Sequence, residues 1–195
     1  MPDEFGPDDL IACYRRGVFP MADSREDDFF YLVEPKMRGI IPLDALHISK
    51  SMQKFQNKTT LKVTFNRNFS DVIDACASNH DGTWISHSIQ SLYTLLHMRG
   101  DAHSVEVWHQ GELVGGLYGV TQGSAFFGES MFSKKTNASK LALIRLVEHL
   151  NQRGFKLLDT QFLTDHLKSM GAIEISQVEY LEKLKTALES NARFN

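Results

Sequence analysis

Cysteine is scarce in this chain: Cys13 and Cys76 are the only two in 195 residues, and two thiols build neither a disulfide framework nor a metal knuckle. Cys76 falls on the apolar face of a predicted helix, where a free thiol is a small core filler. Long hydrophobic runs are missing as well; nothing approaches the ~18 consecutive apolar residues that span a bilayer. The opening Met1-Pro2-Asp3-Glu4 is acidic where a secretory signal is basic and then apolar, so the expectation is a cytoplasmic protein with no membrane role. None of the eight histidines shows ligand spacing, which predicts no metal site; His87, His103 and His166 read as structural hydrogen-bonding groups. There is no internal repeat and no low-complexity tract.

A large excess of either charge is also lacking, since the formal net charge of −3 excludes a strongly basic nucleic-acid binder. The average conceals an asymmetry. Residues 1–35 carry nine acids and three bases, whereas 36–67 carry seven bases (Lys36, Arg38, Lys50, Lys54, Lys58, Lys62, Arg67) against one acid, Asp44. Such a local excess either tracks a phosphate backbone or is a solvated lysine face. A hydrophobic content of 42% supplies one substantial core with room for a small extra lobe.

Periodicity and punctuation predict the elements. Asp8 or Asp9 is placed to cap a short helix through Cys13 and Tyr14, ended by Gly17. Phe29 to Val33 and Gly39 to Leu43 read as extended pieces; a helix carrying Met52 and Phe55 follows, with either Asp44 or Ser49 as its cap. Lys62 to Phe65 is a strand. Phe69, Val72, Ile73 and Cys76, behind an Asn68 cap, and Ile89, Leu92, Tyr93 and Leu96, behind a Ser88 cap, form two helical stripes. The period then changes: Ser104 to Trp108, Leu113 to Val120 and Ser124 to Met131 are three hairpin-connected strands split by Gln110-Gly111-Glu112 and Thr121-Gln122-Gly123. A helix from Asn137 to Gly154, a strand Lys156 to Phe162, and helices over Asp165 to Met170 and Gln177 to Ser190 complete the chain.

The most informative run is Gly128-Glu129-Ser130-Met131-Phe132-Ser133, followed by Asn137-Ala138-Ser139-Lys140 and then Asp159-Thr160-Gln161. It sets a carboxylate beside a glycine at a strand end, then a helix start, then a second carboxylate two residues before a glutamine; a core needs none of that polarity. An antiparallel meander, a helix and a further strand is the order of an N-acyltransferase-like (GNAT-type) core of the α+β class, in which two central strands splay to admit an acyl donor. The glycine-containing loop with which coenzyme A users hold the pyrophosphate is replaced here by Ser133-Lys134-Lys135-Thr136-Asn137-Ala138, without glycine. Gly115-Gly116-Leu117-Tyr118-Gly119 lies inside a strand and reads as close packing or a bulge.

At these residues the sequence resembles the leucyl/phenylalanyl-tRNA protein transferases. The resemblance is carried by Tyr14-Arg15-Arg16-Gly17-Val18-Phe19-Pro20, Arg38-Gly39-Ile40-Ile41-Pro42 with His47-Ile48-Ser49, Gly82-Thr83-Trp84-Ile85, Ala102 to Trp108, Leu113 to Val120 and the Gly128 to Lys140 block, in family order over nearly the whole chain. It implies an aminoacyltransferase that moves Leu or Phe from aminoacyl-tRNA to the α-amino group of N-terminal Arg or Lys, marking proteins for N-end-rule degradation. It further implies a small N-terminal lobe (1–36) on a catalytic domain (37–195), no cofactor, no metal, and a site around Glu129, Asp159 and Gln161. The chain departs from the family pattern at Met21 and at Leu32-Val33-Glu34-Pro35, where tryptophans are common, which leaves the preference among Leu, Phe and Met open.

The chemistry fits these residues. An aminoacyl ester is already activated, and an α-amine with a pKa of roughly 7.7–8.0 is partly neutral near physiological pH, so the reaction needs orientation more than a strong base. Asp159 and Gln161, two apart on a strand, share a face with Leu157. The Gln161 carbonyl oxygen is expected to accept an amine N–H, with Asp159 orienting that amide, and Glu129 with Asp159 to favour a cationic N-terminal residue. Trp84, Phe126, Gly128 and Leu117 are the expected substrate-binding residues, and Lys50, Lys54 and Arg38 the expected tRNA contacts. Phe126 and Glu129 lie on opposite sides of an unbroken strand, so sharing one site requires a bulge at Gly128. A monomer is the default expectation. Two other classes remain open: a coenzyme A-dependent N-acetyltransferase, and a non-catalytic module that binds N-terminal Arg or Lys.

Overall fold

The computed structural model describes residues 5–78 and 83–195; Met1 to Glu4 and Gly82, used in the sequence reading, lie outside them. The chain runs α1 (Pro7–Arg15), β1 (Phe19–Met21), β2 (Tyr31–Val33), β3 (Met37–Ile40), α2 (Lys50–Lys58), β4 (Lys62–Phe65), α3 (Phe69–Ser78) and α4 (His87–Arg99). It continues through β5 (Ala102–His109), β6 (Glu112–Gln122), β7 (Ala125–Ser133), α5 (Ala138–Gln152), β8 (Leu157–Gln161), α6 (Asp165–Ser169), β9 (Ile173–Ser176) and α7 (Gln177–Leu188).

Seven strands form one sheet in the order β4-β5-β6-β7-β8-β3-β9, and β1 pairs with β2 in a separate ribbon. Every neighbouring pair is antiparallel except β7 with β8. The parallel pair follows from the connection, because α5 crosses over between those strands and returns the chain in the same direction. The β5–β6 turn is made by Gln110 and Gly111, both at positive φ, a backbone that matches the twist of a hairpin.

The helices cover both faces. On one face α1, α3, α4 and α7 bury a core that includes Leu10, Tyr14, Ile73, Tyr93, Phe127 and Tyr180. On the other, α5 lies over Leu117, Phe126 and Leu158, with Met52 of α2, Leu167 of α6 and the C-terminal Phe194 at its edges. The segment before β3 contributes Leu10, Ile11, Tyr14, Phe19 and Ala22 to the first core, so it packs as part of the same interior. Gly115 lets α5 seat closely, since a Cβ there would lie 2.5 Å from the Cβ of Ala138.

Several boundaries differ from the sequence reading for local reasons. Gly6, not an aspartate, is the α1 N-cap, and Asp9 reaches back to accept the Gly6 N–H at 2.9 Å. Ser86 rather than Ser88 caps α4, accepting from Ile89 N–H, because the extended backbone that a cap requires occurs at Ser86. Ser49 caps α2 and Asn68 accepts from the Asp71 N–H at the start of α3. Strand β9 escapes the sequence reading because its Ile-Glu-Ile-Ser alternation spans only four residues, mostly exposed at the sheet edge, too short a run to stand out.

Candidate active site

Strands β7 and β8 pair only over Ala125–Leu157, Phe126–Leu158 and Phe127–Asp159. Beyond that both bulge. On β7 the register to β6 passes from Gly119↔Gly128 to Tyr118↔Ser130, leaving Glu129 as the extra residue. On β8 the register to β3 passes from Ile40↔Asp159 to Gly39↔Gln161, leaving Thr160 as the extra residue. Two bulges at one level bend the strands apart. Gly39 admits the second bulge, since a Cβ there would meet Thr160 Oγ1 at 2.8 Å.

A cavity of about 530 Å³ opens in the gap. Its wall on the α5 side is apolar, made by Leu117, Met131, Leu143, Leu146, Leu158 and Leu167. Its other side carries Glu129 and Gln161 beside Trp84, Tyr118 and Phe162. Gly128 is also part of the lining, so the structure brings five of the sequence-predicted residues, Trp84, Leu117, Gly128, Glu129 and Gln161, around one space.

Glu129 is held by three donors: Tyr14 Oη at 2.7 Å, Tyr93 Oη at 2.8 Å and Gln161 Nε2 at 2.9 Å. The two phenols also touch each other at 2.6 Å, closing a triangle of oxygens. Two hydroxyl protons serve only two of its three contacts, so with Glu129 as a carboxylate the triangle has a place for one more proton. Burial is the main cause that pushes the Glu129 carboxyl up to about 7, against the lowering effect of its three hydrogen bonds, and the nearby Asp159 raises it further. Because a carboxylate only accepts, the Gln161 amide presents its NH2 to Glu129 and leaves Oε1 free.

Asp159 lies outside the cavity lining, fully buried and fully engaged. It accepts from Arg38 Nε at 2.9 Å and Nη2 at 2.6 Å, from Tyr180 Oη at 2.7 Å, and from the Gln161 backbone N–H at 2.8 Å. That last bond holds Gln161 at φ +62°, a left-handed conformation unusual for a non-glycine residue. The expected face-sharing of Leu157, Asp159 and Gln161 is seen, but Asp159 fixes the backbone of Gln161 while Glu129 aims its amide. With its charge matched by Arg38, Asp159 does not present a carboxylate to a ligand.

Two further expectations need correction. Arg38 was expected on a tRNA-binding surface, but it is 1% exposed, donates Nη1 to Gly17 O at 2.9 Å and lies between the rings of Phe19 and Tyr180. Its charge is committed to Asp159. Phe126 was expected to face the donor; it is fully buried, stacks on Phe194 and does not line the cavity. The bulge that the sequence reading required is present, but it follows Phe126 and includes Glu129 itself, so the two side chains keep to opposite cores. Lys50 and Lys54 are exposed on α2, away from the lining.

The sequence reading missed Tyr14 and Tyr93 as partners of Glu129, and Tyr180 as a partner of Asp159. A signal was present: a tyrosine on a buried helical stripe brings a hydroxyl that must find a partner, which a leucine does not.

Comparison with known proteins agrees with this architecture. Residues 40–185 match the family described as leucyl/phenylalanyl-tRNA protein transferase, and residues 3–35 match that family's N-terminal domain. A leucyl/phenylalanyl-tRNA–protein transferase from Hyphomonas neptunium is 52% identical over 100% of this chain and 77% of its own length. One from Caulobacter vibrioides is 51% identical over 100% of this chain and 91% of its own length. Among solved structures, FemX superposes with a TM-score of 0.55 at 12% identity, covering 87% of this chain and 66% of that one, a likeness of fold. With relatives half identical along its full length and both family segments matched in order, the chain belongs to the leucyl/phenylalanyl-tRNA protein transferase family.

Proposed function

We propose that this protein transfers leucine or phenylalanine from aminoacyl-tRNA to the α-amino group of an N-terminal arginine or lysine of a protein. The observation that carries the reading is the two-sided cavity between the diverging strands β7 and β8. Its apolar wall suits an aliphatic or aromatic donor side chain, and its polar side suits an incoming amine. The curated relatives bear the name of that transfer.

The residues divide the work. The donor side chain rests on Leu117, Leu143, Leu146 and Leu158, which places the ester carbonyl in the gap beside Gln161. Gln161 Oε1 accepts an N–H of the acceptor amine and directs its lone pair at the ester carbon. The new C–N bond forms as the ester C–O bond breaks. A proton leaves the amine for Glu129, whose triangle with Tyr14 and Tyr93 has a place for it, and Glu129 hands it on to the terminal ribose oxygen, which leaves as a hydroxyl. Among the described residues Glu129 is the one carboxylate in the lining, and its negative charge favours a cationic N-terminal residue. Lys50 and Lys54, exposed on α2 together with Lys58, neutralise phosphates of the tRNA in this reading. No helix among the described residues is long and apolar enough to cross a membrane.

The deciding experiment is transfer of labelled Leu or Phe from tRNA to a peptide beginning with Arg. Transfer to that peptide, and little to one beginning with Ala, is the expected result. Equal transfer to both refutes the acceptor assignment.

A further inference from the structure

Among the described residues, three buried side-chain polar atoms have no hydrogen-bond partner: Tyr118 Oη, Thr160 Oγ1 and His166 Nε2. All three residues line the one cavity. Unpartnered buried groups are costly and rare, so their convergence on a single space points to a ligand that completes them.

Tyr118 is the sharpest of the three because it is 0% exposed and its ring cannot swing away. The ring is wedged edge-on against Tyr93, at 5.3 Å between centroids, and against Phe69, at 5.8 Å. Three phenols surround Glu129: Tyr14 and Tyr93 donate to the carboxylate, and Tyr118 does not. Packing alone would be served as well by phenylalanine. Tyr118 sits opposite Ser130 on β6, next to the Glu129 bulge, in the core beneath α3 and α4. That is the acceptor side of the cavity; the donor's apolar wall belongs to the core beneath α5.

We propose that the Tyr118 hydroxyl binds the acceptor protein's main chain, donating a hydrogen bond to the carbonyl oxygen of its N-terminal residue. This rests on the acceptor reading above. Once the amine is at Gln161 and Glu129, the first peptide carbonyl is the nearest main-chain group with only accepting capacity, and a neutral phenol is a donor matched to it. Burial first, and the charge of Glu129 next, push the Tyr118 phenol well above its ordinary value, so it keeps its proton throughout the working pH range. The contact recognises a peptide without reading its side chain, and it tells a polypeptide N-terminus from a free amine.

The test compares wild type with Tyr118→Phe on two acceptors: a peptide beginning with Arg, and agmatine, which has an amine and a guanidinium but no carbonyl. The expected result is a KM for the peptide raised about 10-fold, with the KM for aminoacyl-tRNA and the rate with agmatine unchanged. Thermal stability is expected to hold or rise, because the substitution removes a hydroxyl that nothing in the free protein satisfies. Equal losses on both acceptors, a rise confined to the tRNA KM, no kinetic change, or a lowered melting temperature would each overturn the proposal. Failure of the wild type to prefer Arg over Ala peptides would instead refute the acceptor reading, which separates the two.

Discussion

Arg38 and Asp159 form a buried ion pair, Nη2 to Oδ2 at 2.6 Å, with side chains 1% and 0% exposed. The pair ties β3 to β8 directly behind the bulge that carries Gln161, so its integrity sets the geometry of the cavity's polar side. Removing one partner leaves the other charge buried without compensation. Arg38→Met is therefore expected to lower unfolding free energy by about 3–5 kcal/mol in urea titration, far more than an exposed arginine costs. A loss under about 1 kcal/mol contradicts the burial described here.

The same relationship predicts a division between Arg38 and the α2 lysines in tRNA binding. Lys50→Glu with Lys54→Glu is expected to weaken aminoacyl-tRNA binding and to flatten its dependence on log salt by about 1 to 2 units of slope, as each lost phosphate contact removes ~0.9. A folded Arg38 variant retains the wild-type slope. A filter-binding series across salt concentrations distinguishes them, and a lowered slope for Arg38 alone reverses the assignment.

Gln161 is expected to govern the chemical step. Gln161→Ala removes the oxygen that directs the amine while Asp159 still holds the backbone N–H at that residue, and kcat is expected to fall at least ~10²-fold with little change in affinity for aminoacyl-tRNA. Single-turnover transfer with saturating donor measures this directly. An unchanged rate removes Gln161 from the mechanism.

Glu129 makes stability pH-dependent in a direction opposite to that of most carboxylates. Its folded value of about 7 lies above the ordinary 4.5, so between those values the native state holds a proton that the unfolded state has lost. Stability therefore falls as pH rises through that window, by an amount on the order of 3 kcal/mol, and then levels off. Glu129→Gln is expected to abolish this slope in denaturation measured from pH 4.5 to 8. In transfer assays the wild type is expected to lose activity below pH 7, as Glu129 takes up a proton before the amine can offer one.

The apolar wall predicts donor selection. Leu117→Phe narrows the cavity from its floor, and transfer of phenylalanine is expected to fall more than transfer of leucine, by a factor within the ~1–3 kcal/mol that one methylene commands. Competition between the two charged tRNAs reads that ratio without dependence on enzyme concentration.

Much of this was legible in the sequence. The period-2 strands from Ala102 to Ser133, the stripe of α5 and the Asp159-x-Gln161 spacing follow from local sterics and alternation, and they locate the sheet, the crossover and the polar end of β8. Polarity without a structural use marked Glu129 and Gln161. The basic stretch from Lys36 to Arg67 misled in one respect, because charge counting does not distinguish an exposed lysine from an arginine whose partner is 121 residues away.

The sequence by itself determined the order of elements from α2 to α6, the family, and Glu129 and Gln161 as polar groups that meet at the cavity, since these rest on residue type and short-range spacing. The tertiary structure alone decided which of those groups face a ligand. Two bulges, read from strand register, part β7 from β8; Arg38 closes over Asp159, and Tyr14 and Tyr93 take hold of Glu129. Long-range pairing of buried charges and hydroxyls is set by where helices from distant parts of the chain pack on one sheet, and no local pattern encodes which partner each will meet.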